Sequence, residues 1–120
     1  MKSCLILVAG PVRSGTNNHP ELIAANLDAM AQVALSIYRK GHIPVIGEWL
    51  ALPIAKAAGS KETGDPISEE FLYPVAHRLI SRCDAILRIP GESRGADLDV
   101  EEGEKRGLPI YYRLDEIPVL

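Results

Sequence analysis

The chain predicts an α/β fold: an open parallel sheet of four or five strands with helices on both faces. Three observations carry that expectation. Short apolar runs ended by turn residues recur at residues 4–9, 42–47, 84–90 and 109–113, and such runs suit strands buried on both faces. The stretches between them carry apolar residues at helical spacing, so strands and helices alternate and the strands are parallel. The 120 residues are 47% apolar and 24% charged, which suffices for one ordinary globular domain and not for two.

The first run, Cys4-Leu5-Ile6-Leu7-Val8-Ala9, stops at Gly10-Pro11. Residues 20–39 form a long helix, because Ile23, Leu27, Met30, Ala34 and Ile37 recur every three or four positions. Pro20 suits its first turn, Glu21 complements the positive helix end, and Gly41 stops it. Residues 42–47 make a second strand, and Pro44 makes it short or places it at an edge. A short helix over 49–58 carries Pro53 inside it. Residues 59–66 are the most loop-like stretch, a lid or a mobile connection. A helix follows from Ser68, its expected N-cap, to about Arg82, with Leu72, Val75, Leu79 and Cys83 on one face. Pro74 kinks or restarts it. Residues 84–90 are a third strand, 91–95 a turn, and 96–106 a short helix with Gly107 as its C′ residue. Residues 109–113 are the last strand.

Composition excludes several function classes. A net charge of −3 leaves no electrostatic footprint for nucleic acid or an anionic membrane as the main partner. No apolar run approaches the roughly eighteen residues of a membrane span. The N-terminal apolar run is too short for a secretory signal and is preceded only by Lys2. With Cys4 and Cys83 as two lone thiols, this predicts a cytoplasmic protein. His19, His42 and His77 lack ligand spacing, so no metal and no other cofactor is expected.

In such sheets, ligands bind beyond the carboxyl ends of the strands. That singles out the loops Gly10–His19, Gly47–Trp49 and Gly91–Gly95. In the first, Gly10 and Pro11 open a tight turn, Arg13 offers a planar fork of donors, and Ser14 adds a hydroxyl. The loop has neither the Lys of a Walker motif nor the glycine spacing of a dinucleotide site. A polar turn with no ligand is the plain alternative. In the third, Ser93, Arg94 and Gly95 open a helix whose free N–H groups attract anions, and Ser93 also suits an N-cap. Asp99 lies between Ala96 and Gly103 on that helix, bordering the small-residue face expected to pack on the sheet. An acid there is a catalytic candidate, whereas Asp97, Glu101 and Glu104 lie nearer solvent. Glu48 and the only tryptophan, Trp49, follow the second strand as substrate-binding candidates. An indole there stacks on a nucleobase or packs in the core.

The order of three features resembles the nucleoside 2-deoxyribosyltransferase-like superfamily, and within it the small members. They are the strand ending Ala9-Gly10-Pro11-Val12-Arg13, the strand start Cys83-Asp84-Ala85-Ile86-Leu87, and Ser93-Arg94-Gly95-Ala96 through Asp99 to Gly107-Leu108-Pro109-Ile110. The match spans nearly the whole chain. The resemblance implies a flavodoxin-like sheet, a homo-oligomer, and a nucleoside or nucleotide as the small-molecule partner. It also implies cleavage of an N-glycosidic bond by a carboxylate nucleophile, placed here at Asp99, as in a retaining glycosidase. Arg13 and Ser93 fall where the nucleotide-specific branch contacts phosphate. Three positions depart from the pattern: Asp99 stands for the usual Glu, Leu7 for a Tyr, and Ala76 for an assisting Asp. Asp is one methylene shorter, and a displacement of about 1 Å can cost on the order of a hundredfold in rate. The alternative is a non-catalytic module that binds a nucleotide or sugar phosphate through Arg13 and the Ser93–Gly95 helix start.

Overall fold

A computed structural model describes residues 2–120. The elements run β1 (Leu5–Ala9), α1 (Pro20–Arg39), β2 (Ile43–Val45), α2 (Gly47–Ala57), α3 (Pro66–Ile80), β3 (Ala85–Arg88), α4 (Arg94–Lys105) and β4 (Ile110–Tyr111), followed by a 3₁₀ turn at Leu114–Glu116. The four strands are all parallel, in the order β2-β1-β3-β4. This is the flavodoxin-like α/β arrangement, with four strands. Leu7 pairs with Val45 on one side and Ile86 on the other, so β1 is the central register strand.

The alternation of β1 divides the core. Ile6 and Val8 join Ile23, Met30 and Ile37 of α1, together with Ala85 and Leu87, on one face. Leu7 and Ala9 join Ile80 of α3, Ile86, and Ala96 of α4 on the other. A continuous apolar strand is what both-face burial requires. Ile117, from the C-terminal tail, fills the α1 face as well, and is 2% exposed. The edge position of β2 accounts for Pro44, which needs no ladder partner for its missing N–H.

Several boundaries differ from the sequence reading: β2, β3 and β4 are shorter than expected, α3 runs unbroken through Pro74 and ends at Ile80, and three helix starts move. The α2 helix starts at Gly47, so Glu48 and Trp49 sit in its first turn and not in a loop. The N-cap of α3 is Asp65, whose carboxylate accepts the Ser68 N–H at 2.8 Å. Ser68 itself is buried inside the first turn, and its hydroxyl accepts the Gly64 N–H. Finally, α4 begins at Arg94, two residues early, with Ser93 as N-cap and Gly107 just past its end in the left-handed region.

The topology sets where a ligand can enter. From β1 the chain turns to α1 on one face, while from β3 it turns to α4 on the other. The two loops diverge and leave a crevice at the switch point between neighbouring strands. At its base the loops touch: a Cβ on Gly91 would lie 2.8 Å from Pro11 Cγ, and Gly91 has φ +121°, so glycine is required there.

Candidate functional site

The crevice is a cavity of about 290 Å³ floored by Val8 and Ala9. The first loop contributes Gly10, Arg13 and Ser14, α2 contributes Gly47 and Glu48, and the start of α4 contributes Ser93, Arg94, Gly95 and Asp99. Thr63, Glu69, Leu72, Tyr73 and Ala76 close the remaining wall from α3 and the loop before it. Of the residues singled out in the sequence, Pro11 and Trp49 do not line the cavity. Pro11 packs on Gly91 below it. Trp49 is 46% exposed, because the first turn of α2 aims Glu48 inward and the next residue about 100° away. Its stacking on a bound base is therefore not supported.

The first loop is braced from within. Thr16 is buried and its hydroxyl donates to the Arg13 carbonyl at 2.6 Å, while the Asn18 N–H donates back to that hydroxyl. Asn17 and Asn18 both adopt positive φ, which asparagine tolerates. The Asn26 amide of α1 holds the Val12 carbonyl at 2.8 Å. These contacts fix the base of Arg13. Its guanidinium pairs with the Glu69 carboxylate of α3 and donates to Asn18 Oδ1. Gly64 lies against the same guanidinium, where any Cβ would collide with it. The loop 59–66 thus reaches the site through Gly64 and Thr63. Its shape is held by Asp65, which accepts from the Ser60 hydroxyl and from the Lys61, Glu62 and Ser68 N–H groups.

At the opposite rim, the Ser93 hydroxyl accepts the Ala96 N–H at 3.1 Å. Arg88, at the end of β3, donates to the Ile89 and Gly91 carbonyls and to the Asp97 carboxylate at 2.9 Å. It therefore ties the third loop to the first turn of α4. One face of α4 lies very close to the sheet, since a Cβ on Gly103 would come within 2.5 Å of Ile86 Cδ1. That close approach turns Asp99, four positions earlier, toward the cavity.

Two carboxylates share this small space. Burial pushes the Asp99 carboxyl up to about 7, the Glu48 charge adds to the rise, and Arg88 opposes it. Burial also raises Glu48, against the pull of its own backbone N–H. An acid in a first helical turn ordinarily just complements the helix dipole from solvent. Glu48 is not exposed, and the small side chain of Ala76 lets the first turn of α2 sit against α3, with a Gly47 Cβ position 3.7 Å from Ala76 Cβ. Among the described residues, neither carboxylate joins an ion pair. Leu7 is buried in the sheet core and Ala76 faces the cavity without a polar group.

Chemically the site offers two desolvated acids, one of which can hold a proton while the other is ionised. It also offers an anion-attracting helix start beside Arg94, and one guanidinium already balanced by a carboxylate. Glu69, Tyr73 and Thr63 were not legible in the sequence as site residues. No group of three or more His, Cys, Asp or Glu among the described residues is arranged to hold a metal ion. Cys83 is buried and its thiol is pushed up to about 11, which makes it inert. No helix among the described residues is long and apolar enough to cross a membrane. No protein-family model, curated protein or solved structure matches the chain.

Proposed function

We propose that the protein cleaves the N-glycosidic bond of a nucleoside or nucleotide, with Asp99 as the carboxylate nucleophile. The observation that carries this reading is the placement of the Asp99 carboxylate in one cavity with Arg13, Ser93 and a second acid, at the sheet's switch point. Asp99 forms a bond to the anomeric carbon, the base departs, and water or another base then takes the sugar. The cavity volume of about 290 Å³ lies at the small end of ligand sites, which suits a nucleoside-sized molecule. The resemblance to the nucleoside 2-deoxyribosyltransferase-like superfamily supports the same chemistry.

The helix start at Ser93–Gly95 and the two arginines on the rim favour a second reading, a module that binds a nucleotide or sugar phosphate without cleaving it. One experiment separates the two. Wild-type protein is incubated with 2′-deoxynucleosides and their 5′-monophosphates, and released base is measured beside ligand-induced shifts in melting temperature. The first reading expects base release that Asp99→Asn lowers on the order of a thousandfold, with the thermal shift retained. A thermal shift without any base release supports the module. Neither effect with any of these compounds refutes both.

The proposal extends to a homo-oligomer. Trp49, Leu50 and Ile54 expose an apolar stripe along the outer face of α2, opposite the buried Ala51 and Ala55. A second copy covering that stripe would shield it from water.

A further inference from the structure

We propose that Glu48 is the general acid of the reaction, delivering the proton that the departing base requires. This rests on the reading that the site cleaves an N-glycosidic bond, and assigns the half of the chemistry that Asp99 cannot perform alone. A purine or pyrimidine anion is a poor leaving group, so cleavage demands a proton donor beside the bond.

The cavity contains few groups that could serve. Guanidinium groups and phenols are as classes far weaker acids than a carboxylic acid, which sets aside the arginines and the tyrosine of the lining. The Glu69 carboxylate is committed to Arg13. Aliphatic hydroxyls such as those of Ser14 and Ser93 belong to a weaker class of acid still. Glu48 remains. It lines the same cavity as Asp99 but comes from α2, across the crevice from α4. Opposed carboxyl groups from two elements are the arrangement that retaining glycoside cleavage uses.

The balance is complete. An Asp99 oxygen bonds to the anomeric carbon as the carbon–nitrogen bond breaks. The bond's electron pair stays with the base, which takes the proton from the Glu48 carboxylic acid. The Glu48 carboxylate then removes a proton from water as the water oxygen attacks the anomeric carbon. The Asp99–carbon ester breaks, and its electron pair returns to Asp99. The pair thus works with one proton between them; the reaction draws on the arrangement with that proton on Glu48 and Asp99 ionised, which becomes available as pH rises toward the value of about 7 to which burial and Glu48 push the Asp99 carboxyl. Arg13 of the first loop, Glu69 and Tyr73 of α3, Arg88 of β3 and Arg94 of α4 are the other charged or titratable groups around that pair. Mutual repulsion of the two carboxylates favours the singly protonated state.

The test compares a substrate that needs the proton with one that does not. 2′-Deoxyguanosine requires it, whereas N7-methyl-2′-deoxyguanosine already carries a positive base that leaves as a neutral molecule. The nucleosides and their 5′-monophosphates are assayed with wild type, Glu48→Gln and Asp99→Asn. The expected result is a loss of about a hundredfold or more for Glu48→Gln on the unmethylated substrate, and less than about tenfold on the methylated one. Asp99→Asn should abolish both. Equal losses for Glu48→Gln on the two substrates, or no loss on either, overturn the role of Glu48 while leaving the glycosidase reading standing. No base release by wild type overturns that reading and this one together. A carbon-13 titration of the Asp99 carboxyl guards against a merely misfolded variant. Glu48→Gln should lower the Asp99 pKa by removing a facing negative charge, and an unchanged titration contradicts the shared-proton pair.

Discussion

Asp99 titrates in surroundings that favour its neutral form. Its folded-state pKa of about 7 lies above the unfolded value near 4. The contribution to stability is therefore full below about pH 4 and is lost as pH rises through about 7. Asp99→Asn should raise stability at pH 8 by on the order of 3 kcal/mol and change it little at pH 4, measured by urea unfolding at both values. An equal gain at both would assign the effect to packing. Arg13 makes a different point, because its guanidinium already has an anionic partner in Glu69. A phosphate must displace that carboxylate. Arg13→Ala should weaken 5′-monophosphates by about ten- to a hundredfold and spare the nucleosides. Glu69→Gln should instead tighten monophosphate binding, since it removes the competitor. Calorimetric titration reads both, and a loss of monophosphate affinity in Glu69→Gln would exclude the competition. Asp99 was legible because it borders a face of small residues. Glu69 was not, because beside Glu70 on an amphipathic helix it looks like a solvated acid, and only the fold brings it to Arg13.

At the scale of elements, caps and close approaches position the side chains. The Ser93 cap fixes the start of α4, and Ser93→Ala should cost about 1 kcal/mol, or roughly 4–8 °C in melting temperature. Gly103 lets α4 lie against Ile86 and Ile110. Gly103→Ala should cost about 1–3 kcal/mol by overpacking and shift Asp99 away from the cavity, so catalysis falls along with stability. Loss of stability without loss of activity would contradict the link between that contact and the site. Asp65 holds α3 and its preceding loop with four accepted hydrogen bonds, which keep its carboxyl well below the ordinary range. A depressed pKa gives stability above the unfolded value that is lost as pH falls. The destabilisation by Asp65→Ala should thus shrink as pH drops below about 4. Periodicity located every helix and strand, and α1 from its first residue to its last. It misassigned the α3 cap because Asp65 and Ser68 are both good capping types, and Pro66 at the first helical position decides for Asp65. It placed the start of α2 two residues late because Gly47 reads as a turn, although it opens the helix.

The whole molecule is organised by one topological fact: strand order runs from β1 outward to β2 on one side, then returns to add β3 and β4 on the other, so the switch point lies between the parallel neighbours β1 and β3. Alternating apolar runs and helical stretches made the parallel sheet legible, since helical crossovers are what join parallel strands. The partners across the crevice were legible only in part. Strand-end loops were identifiable, but the wall built by α3 depends on how two consecutive helices fold over one face, which no spacing encodes. The exposed stripe of α2 belongs to this scale too. Substituting Trp49→Glu together with Ile54→Glu should reduce the proposed oligomer to monomers by sedimentation, and unchanged mass would remove α2 from the proposed interface. The central claim is that Asp99 makes a covalent bond to a sugar in this cavity. It is tested most directly with a 2′-deoxy-2′-fluoroarabinosyl nucleoside, whose fluorine slows release of the intermediate, followed by mass spectrometry of the digested protein. The account predicts one fluorinated sugar on the peptide carrying Asp99, absent in Asp99→Asn. Base release with no adduct, or an adduct on Glu48, would contradict it.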